Sequence, residues 1–172
     1  MNIFVTSNSP KLSAQALDNK RVVKMVLETA QLLSTAIFIN SGAAYDNLYK
    51  PTHLKHPCTI WAAETVGNWD WLLEHFTELC EEYSFRYNKQ HSSEKILPYL
   101  LKYRTNVKSG SITPFANCTR SELIKVDFKH MQDTCTAYKK YLLAKWYHDK
   151  SPPKWINREP PSWYNHRFTE YE

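Results

Sequence analysis

Glycine is scarce in this sequence, with three residues in 172. That excludes Gly-rich phosphate-binding loops and argues against a fold rich in tight hairpins. The four cysteines, Cys58, Cys80, Cys118 and Cys135, are widely spaced and form no Cys-x-x-Cys pair. A secreted disulfide framework or a familiar zinc signature is therefore not expected. No uncharged apolar run approaches the length that a membrane span is expected to need. The first dozen residues, MNIFVTSNSPKL, lack the basic and then apolar segments of a signal peptide. These absences lead us to expect a reducing, cytoplasmic setting and no membrane.

What is present is aromatic and mildly basic. Six Trp, eleven Tyr and seven Phe make 14% of the chain, and the formal net charge is +5. Tyr and Trp suit both cores and wet clefts. The charge favours polyanions without identifying one.

The patterning predicts one all-α domain over 1–172, with about five or six helices and an irregular, aromatic C-terminal tail. After a short apolar arm (Asn2 to Thr6), Ser9-Pro10 reads as a capped helix start. From Lys11 to Asn40, Val23, Val26, Leu27, Ala30, Leu33 and Ile37 recur at helical spacing. Asp18 could cap a second helix there, and Asn40-Ser41-Gly42 ends it. Pro57 opens a further helix, broken at Gly67-Asn68, and Trp69 to Tyr87 is strongly periodic. Another helix is expected from Ser92 to Tyr103, distorted or divided by Pro98. Residues 105–127 read as irregular, and a last helix spans about Phe128 to His148. The tail that follows holds two Pro pairs.

Four constellations carry chemistry. Lys20, Lys24 and Glu28 stand four apart on one helical face, with Arg21 beside them. Such a row can bind phosphate and offer a carboxylate for proton transfer, although it equally fits a solvated face. In THLKHPC, His53, His56 and Cys58 number at most three ligands in a stretch too short to close a tetrahedron, so no structural zinc is expected. Pro57 at a helix start would instead aim His56 and nearby N–H groups at an anion. On the third segment Glu82–Arg86 and Tyr87–His91 are i,i+4 pairs, a cleft lining or a helix end. The tail interleaves Trp155, Arg158, Trp163 and Tyr164, either as a base-stacking surface or as a lid on the core.

The segments LDNKRVVKMVLETAQLLSTA, THLKHPC with its following W, EYSFRYNKQH, TPFA and the final PSWY resemble those of a group of phage and bacterial proteins with no assigned activity. The layout of arm, basic-acidic first long helix and WY-containing tail further resembles the pyrimidine-dimer DNA glycosylase (endonuclease V) of T-even phages. That resemblance implies an all-helical enzyme of base excision, with glycosylase and lyase chemistry, acting on DNA in the cytoplasm (of the host, if phage-encoded) without a cofactor. It implies an N-terminal α-amine as nucleophile. Such an amine ordinarily ionises near pH 8, well below a lysine, and attacks the sugar C1′ to give a Schiff base. Asn2 is bulky for removal of the initiator Met, so the amine here would be that of Met1. Where the family has its catalytic Glu beside the first basic residue, this chain has Arg21, so Glu28 or Asp18 would substitute. The expected site thus comprises Met1, Glu28 and Lys20 for catalysis, and Lys20, Arg21, Lys24, His53, His56, Arg86, Tyr87 and His91 for DNA phosphates. The alternatives are an enzyme binding a nucleotide or another small phosphorylated ligand, and a non-catalytic protein binding a host partner.

Overall fold

The computed structural model describes residues 1–164. Six α-helices build it: α1 (Pro10–Ala16), α2 (Asn19–Ser41), α3 (Pro57–Glu64), α4 (Val66–Tyr87), α5 (Leu97–Tyr103) and α6 (Thr134–His148). Two short 3-10 turns, Ser92–Ile96 and Arg104–Asn106, flank α5, and a two-residue antiparallel ladder pairs Arg120–Ser121 with Val126–Asp127.

Local chemistry explains most of the boundaries. The Ser9 side chain accepts from Leu12 N–H to cap α1, with Pro10 at its first position. Asp18 does occupy the cap position of α2, but its carboxylate makes no capping bond. Gly42, at φ +70°, closes α2 in the left-handed conformation that glycine adopts without strain. Pro98 stands at the start of α5, so it divides the expected helix into a 3-10 turn and an α-helix.

Three expectations need correction. The break before α4 falls at Thr65, whose hydroxyl accepts from Asn68 N–H, and Gly67-Asn68 lies inside the first turn. Gly67 is needed for space: a Cβ there would meet Ile112 N at 2.4 Å, and its N–H donates to Gly110 O at 3.0 Å. The last helix begins at Thr134 rather than Phe128, because Asp133 caps it by accepting from Cys135 N–H. Finally, α2 is by length and composition apolar enough to cross a membrane. Its apolar face is instead buried against α3 and α4.

The core centres on α2 and α4. Met25, Val26, Leu32, Leu33 and Ile37 of α2 meet Trp69, Leu72, Phe76 and Leu79 of α4, all fully buried. Val23 and Leu27, expected in this core, are about 40% exposed, at 40% and 38%. The N-terminal arm enters the same core, with Ile3 and Val5 fully buried. Phe4 lies between Tyr138 (edge-on) and Tyr141 (stacked) of α6, with both ring centroids at 6.2 Å. The described part of the tail lies across α1 and α6. Trp155 Nε1 donates to Ala16 O, and Trp146 stacks on Trp163. The tail aromatics therefore close the core as far as Tyr164; the expected tail end, 165–172, lies outside the described residues.

Candidate active site

The arm ends at the carboxylate of α2. Asn2 folds its Oδ1 back to accept from the N–H groups of Ile3 and Phe4, and its Nδ2 donates to Cys118 O. With the next residues locked in the core, the Met1 α-amine comes to 3.5 Å from Glu28 Oε2. The Met1 and Glu28 side chains are 3% and 12% exposed, so this pair sits at the edge of the core. Lys24, one turn earlier, reaches Glu28 Oε1 at 3.1 Å with its own side chain 66% exposed. One carboxylate thus bridges a sequestered α-amine and a solvent-facing ammonium.

His56 stands close by at the start of α3. Its Nδ1 accepts from Cys58 N–H at 3.2 Å. That bond leaves the ring proton to Nε2 in the neutral form. Burial lowers the His56 pKa, the positive α-amine and His53 lower it further, and Glu28 opposes them. The ring is therefore held neutral near pH 7, as a hydrogen-bonding group rather than a cation. Cys118 comes to the same place from a loop 60 residues further on: Cys58 Sγ donates to Cys118 Sγ at 3.5 Å.

The remaining expected site residues divide into exposed and structural groups. Lys20 is 72% exposed and pairs with Asp149 at 3.5 Å. It lines a pocket of about 490 Å³ with His148, Asp149 and Lys154. Eight residues separate Lys20 from Glu28, roughly 12 Å along a helix. Arg21 is buried, donating to Asp18 and Asp149, each at 2.9 Å. Asp18 also accepts from Trp146 Nε1, so it ties α2 to α6, while the carboxylate paired with the α-amine is that of Glu28. Arg86 is buried beneath the first turn of α2. It donates to Glu82, Asn19 Oδ1 and Gln15 O, while Arg158 of the tail shares Glu82. Tyr87 donates its hydroxyl to Asn19 O. His91 caps the first 3-10 turn by accepting from Ser93 N–H. His53 is exposed, with its ring against the Thr52 hydroxyl. The structure thus brings together Met1, Lys24, Glu28 and His56, and holds Arg86 and His91 in separate structural roles.

Two residues outside the expected site join it. Lys145 of α6 is half-buried, with its Nζ 4.9 Å from the Tyr141 ring centroid. Its pKa is lowered, first by burial and then by Arg21, with Asp149 opposing and smaller lowering contributions from Lys24 and Lys20. It therefore extends the basic row of α2 onto α6. Cys118 lies in the segment read as irregular, where no spacing announces its partner.

No curated protein and no solved structure matches the chain. The family model of the pyrimidine dimer DNA glycosylases matches residues 1–95. The matched stretch contains the arm, α1 to α4, and all four residues gathered around the α-amine. With more than half of its 172 residues matched, the chain belongs to the pyrimidine dimer DNA glycosylase family.

Proposed function

We propose that this protein excises a pyrimidine from a dimer in duplex DNA, with the Met1 α-amine as nucleophile, Glu28 as its carboxylate partner, and an associated lyase step. The observation that carries this reading is the 3.5 Å approach of the α-amine to Glu28 at the end of a core-anchored arm. A nucleophile on a rigid arm loses little freedom when the substrate arrives, which is where much of the advantage of positioned groups originates.

In the first step the free-base amine attacks C1′ of a nucleotide turned out of the helix. The glycosidic bond breaks, its electron pair leaves with the pyrimidine, and the pyrimidine takes up a proton. The attacking nitrogen loses a proton, for which Glu28 is the adjacent base. Its lone pair then opens the sugar ring, O4′ takes up a proton, and a protonated Schiff base joins protein and sugar. Loss of a C2′ proton with expulsion of the 3′ phosphate nicks the strand. Until it takes up that proton, the Glu28 carboxylate faces the positive charge that develops on nitrogen and C1′. Lys20, Lys24 and Lys145 form the exposed or half-exposed cationic row suited to the flanking phosphates.

Borohydride trapping on dimer-containing and abasic duplex tests the assignment. A covalent adduct is expected with the wild type and with Lys20→Ala. It is expected to vanish when a few residues are added ahead of Met1, with peptide mapping locating the adduct on the first residue. Trapping that survives the extension and disappears in Lys20→Ala would transfer the role to Lys20. Absence of any adduct, with DNA binding intact, would remove the lyase step.

A further inference from the structure

His56, Cys58 and Cys118 are not consumed by this mechanism as a group, yet three sequence positions converge there. One ring nitrogen of His56 and the two sulfurs all lie within 4.8 Å of one another. We propose that they bind a thiophilic divalent cation of the zinc class, which clamps the Cys118 loop between α5 and α6, and through Asn2 the N-terminal arm, to the start of α3.

The sulfur spacing excludes a disulfide and fits a metal-bridged pair as it fits the thiol hydrogen bond of the metal-free site. A disulfide requires the sulfurs at about 2.05 Å. Zinc–sulfur bonds of about 2.3 Å in a tetrahedron put neighbouring sulfurs about 3.8 Å apart. The observed 3.5 Å separation is close to that edge and far from a bond. A pair of thiols packed only as small apolar groups needs no third donor, whereas here an imidazole joins them. Two sulfurs and one nitrogen form a donor set that prefers zinc-like ions over the hard cations calcium and magnesium.

The supports of these donors are already fixed. His56 and Cys58 flank Pro57 at the capped start of α3; because His56 Nδ1 accepts from Cys58 N–H there, ligation takes either that lone pair in place of the cap bond or Nε2 after its proton has moved to Nδ1. Cys118 is held by its N–H, which donates to the Tyr138 hydroxyl, and that hydroxyl in turn donates to Ala116 O. Its carbonyl accepts from Asn2. Cys118, held in this way, loses little freedom on binding an ion. Three protein ligands leave a fourth position for water. Cys118 takes the place of His53 as the third ligand, so the donors come from two distant stretches rather than from residues 52–58 alone.

The test uses the full chain, reduced and freed of metal, titrated with Co2+ alone. A thiolate-to-cobalt charge-transfer band saturating at about one ion per chain, and bleached by Zn2+, is expected. Cys118→Ser should weaken binding at least on the order of a hundredfold, the upper end of what loss of an outer-shell contact costs. Cys135→Ser, which lies outside the cluster, should leave the titration unchanged. Should Cys118→Ser misfold, X-ray absorption at the zinc edge of the loaded wild type takes its place, with two sulfur ligands expected. The proposal is overturned by absence of the band, by a coordination shell with fewer than two sulfurs, by loss of the band in Cys135→Ser, or by a Cys58–Cys118 disulfide that outcompetes Co2+ in the presence of reductant.

Discussion

Replacing Glu28 by Gln keeps the shape of the side chain and removes its charge. Glu28 lies 3.5 Å from the α-amine and 3.1 Å from Lys24. In the proposed reaction a unit of positive charge grows on the amine and C1′, at roughly 4 Å from the carboxylate. At the effective dielectric of a partly buried site that attraction is about 4 kcal/mol. Lys24 already neutralises part of the carboxylate from solvent, which leaves roughly 2–3 kcal/mol. At about 1.4 kcal/mol per decade, the rate of excision should fall on the order of a hundredfold. Affinity for DNA should hold or rise slightly, because a negative charge beside the phosphates has been removed. The assay is single-turnover excision from a labelled duplex carrying one dimer, at saturating enzyme. Anisotropy on an uncleavable abasic analogue reports binding, and thermal melting checks the fold. A rate within about threefold of the wild type would refute the electrostatic role. So would a rate loss fully matched by weaker binding.

Lys24→Ala and Lys145→Ala should each weaken DNA binding across sequences and reduce the salt dependence by about one phosphate, read from affinity against salt concentration. An unchanged slope in both would move the DNA off this face. Arg86→Met should destabilise the protein by roughly 3 kcal/mol in urea unfolding, because it unpairs part of a buried ion cluster and leaves Glu82 to Arg158 alone. His75 is fully buried, with Nδ1 donating to Pro10 O at 3.0 Å, and burial lowers its pKa from 6.5 to about 4. The unfolded chain therefore takes up a proton that the folded one refuses. The stability held above about pH 6.5 should be lost as pH falls toward about 4, by roughly 3 kcal/mol in all. His75→Phe should flatten that part of the stability profile. An unaltered profile would sink the assignment.

The sequence by itself determined the helical class and most of the helices, because apolar periodicity, caps and prolines act within a turn or two of the chain. Gly42 could be read as a helix end, and Lys24 and Glu28 as neighbours, from spacing alone. The break at Thr65 and the late start of α6 were hidden. The first follows from the 110–112 loop seating against Gly67, and the second from an Asp133 cap that competes with a periodic run. The segment between α5 and α6 was legible only as irregular, since its polar groups are satisfied at long range. Thr113 N–H, for one, donates to Asn68 Oδ1. Only the tertiary structure decided which charges face water. Arg21 and Arg86 look like Lys20 and Lys24 in sequence, yet packing encloses them with Asp18 and Glu82 and leaves the lysines exposed. The same holds for the approach of Met1 to Glu28 and of Cys118 to Cys58. Both are contacts between residues far apart in the chain, and no local spacing encodes them. The first exists because Ile3, Phe4 and Val5 bury themselves between α6 and the rest of the core, and that burial fixes where the arm must begin.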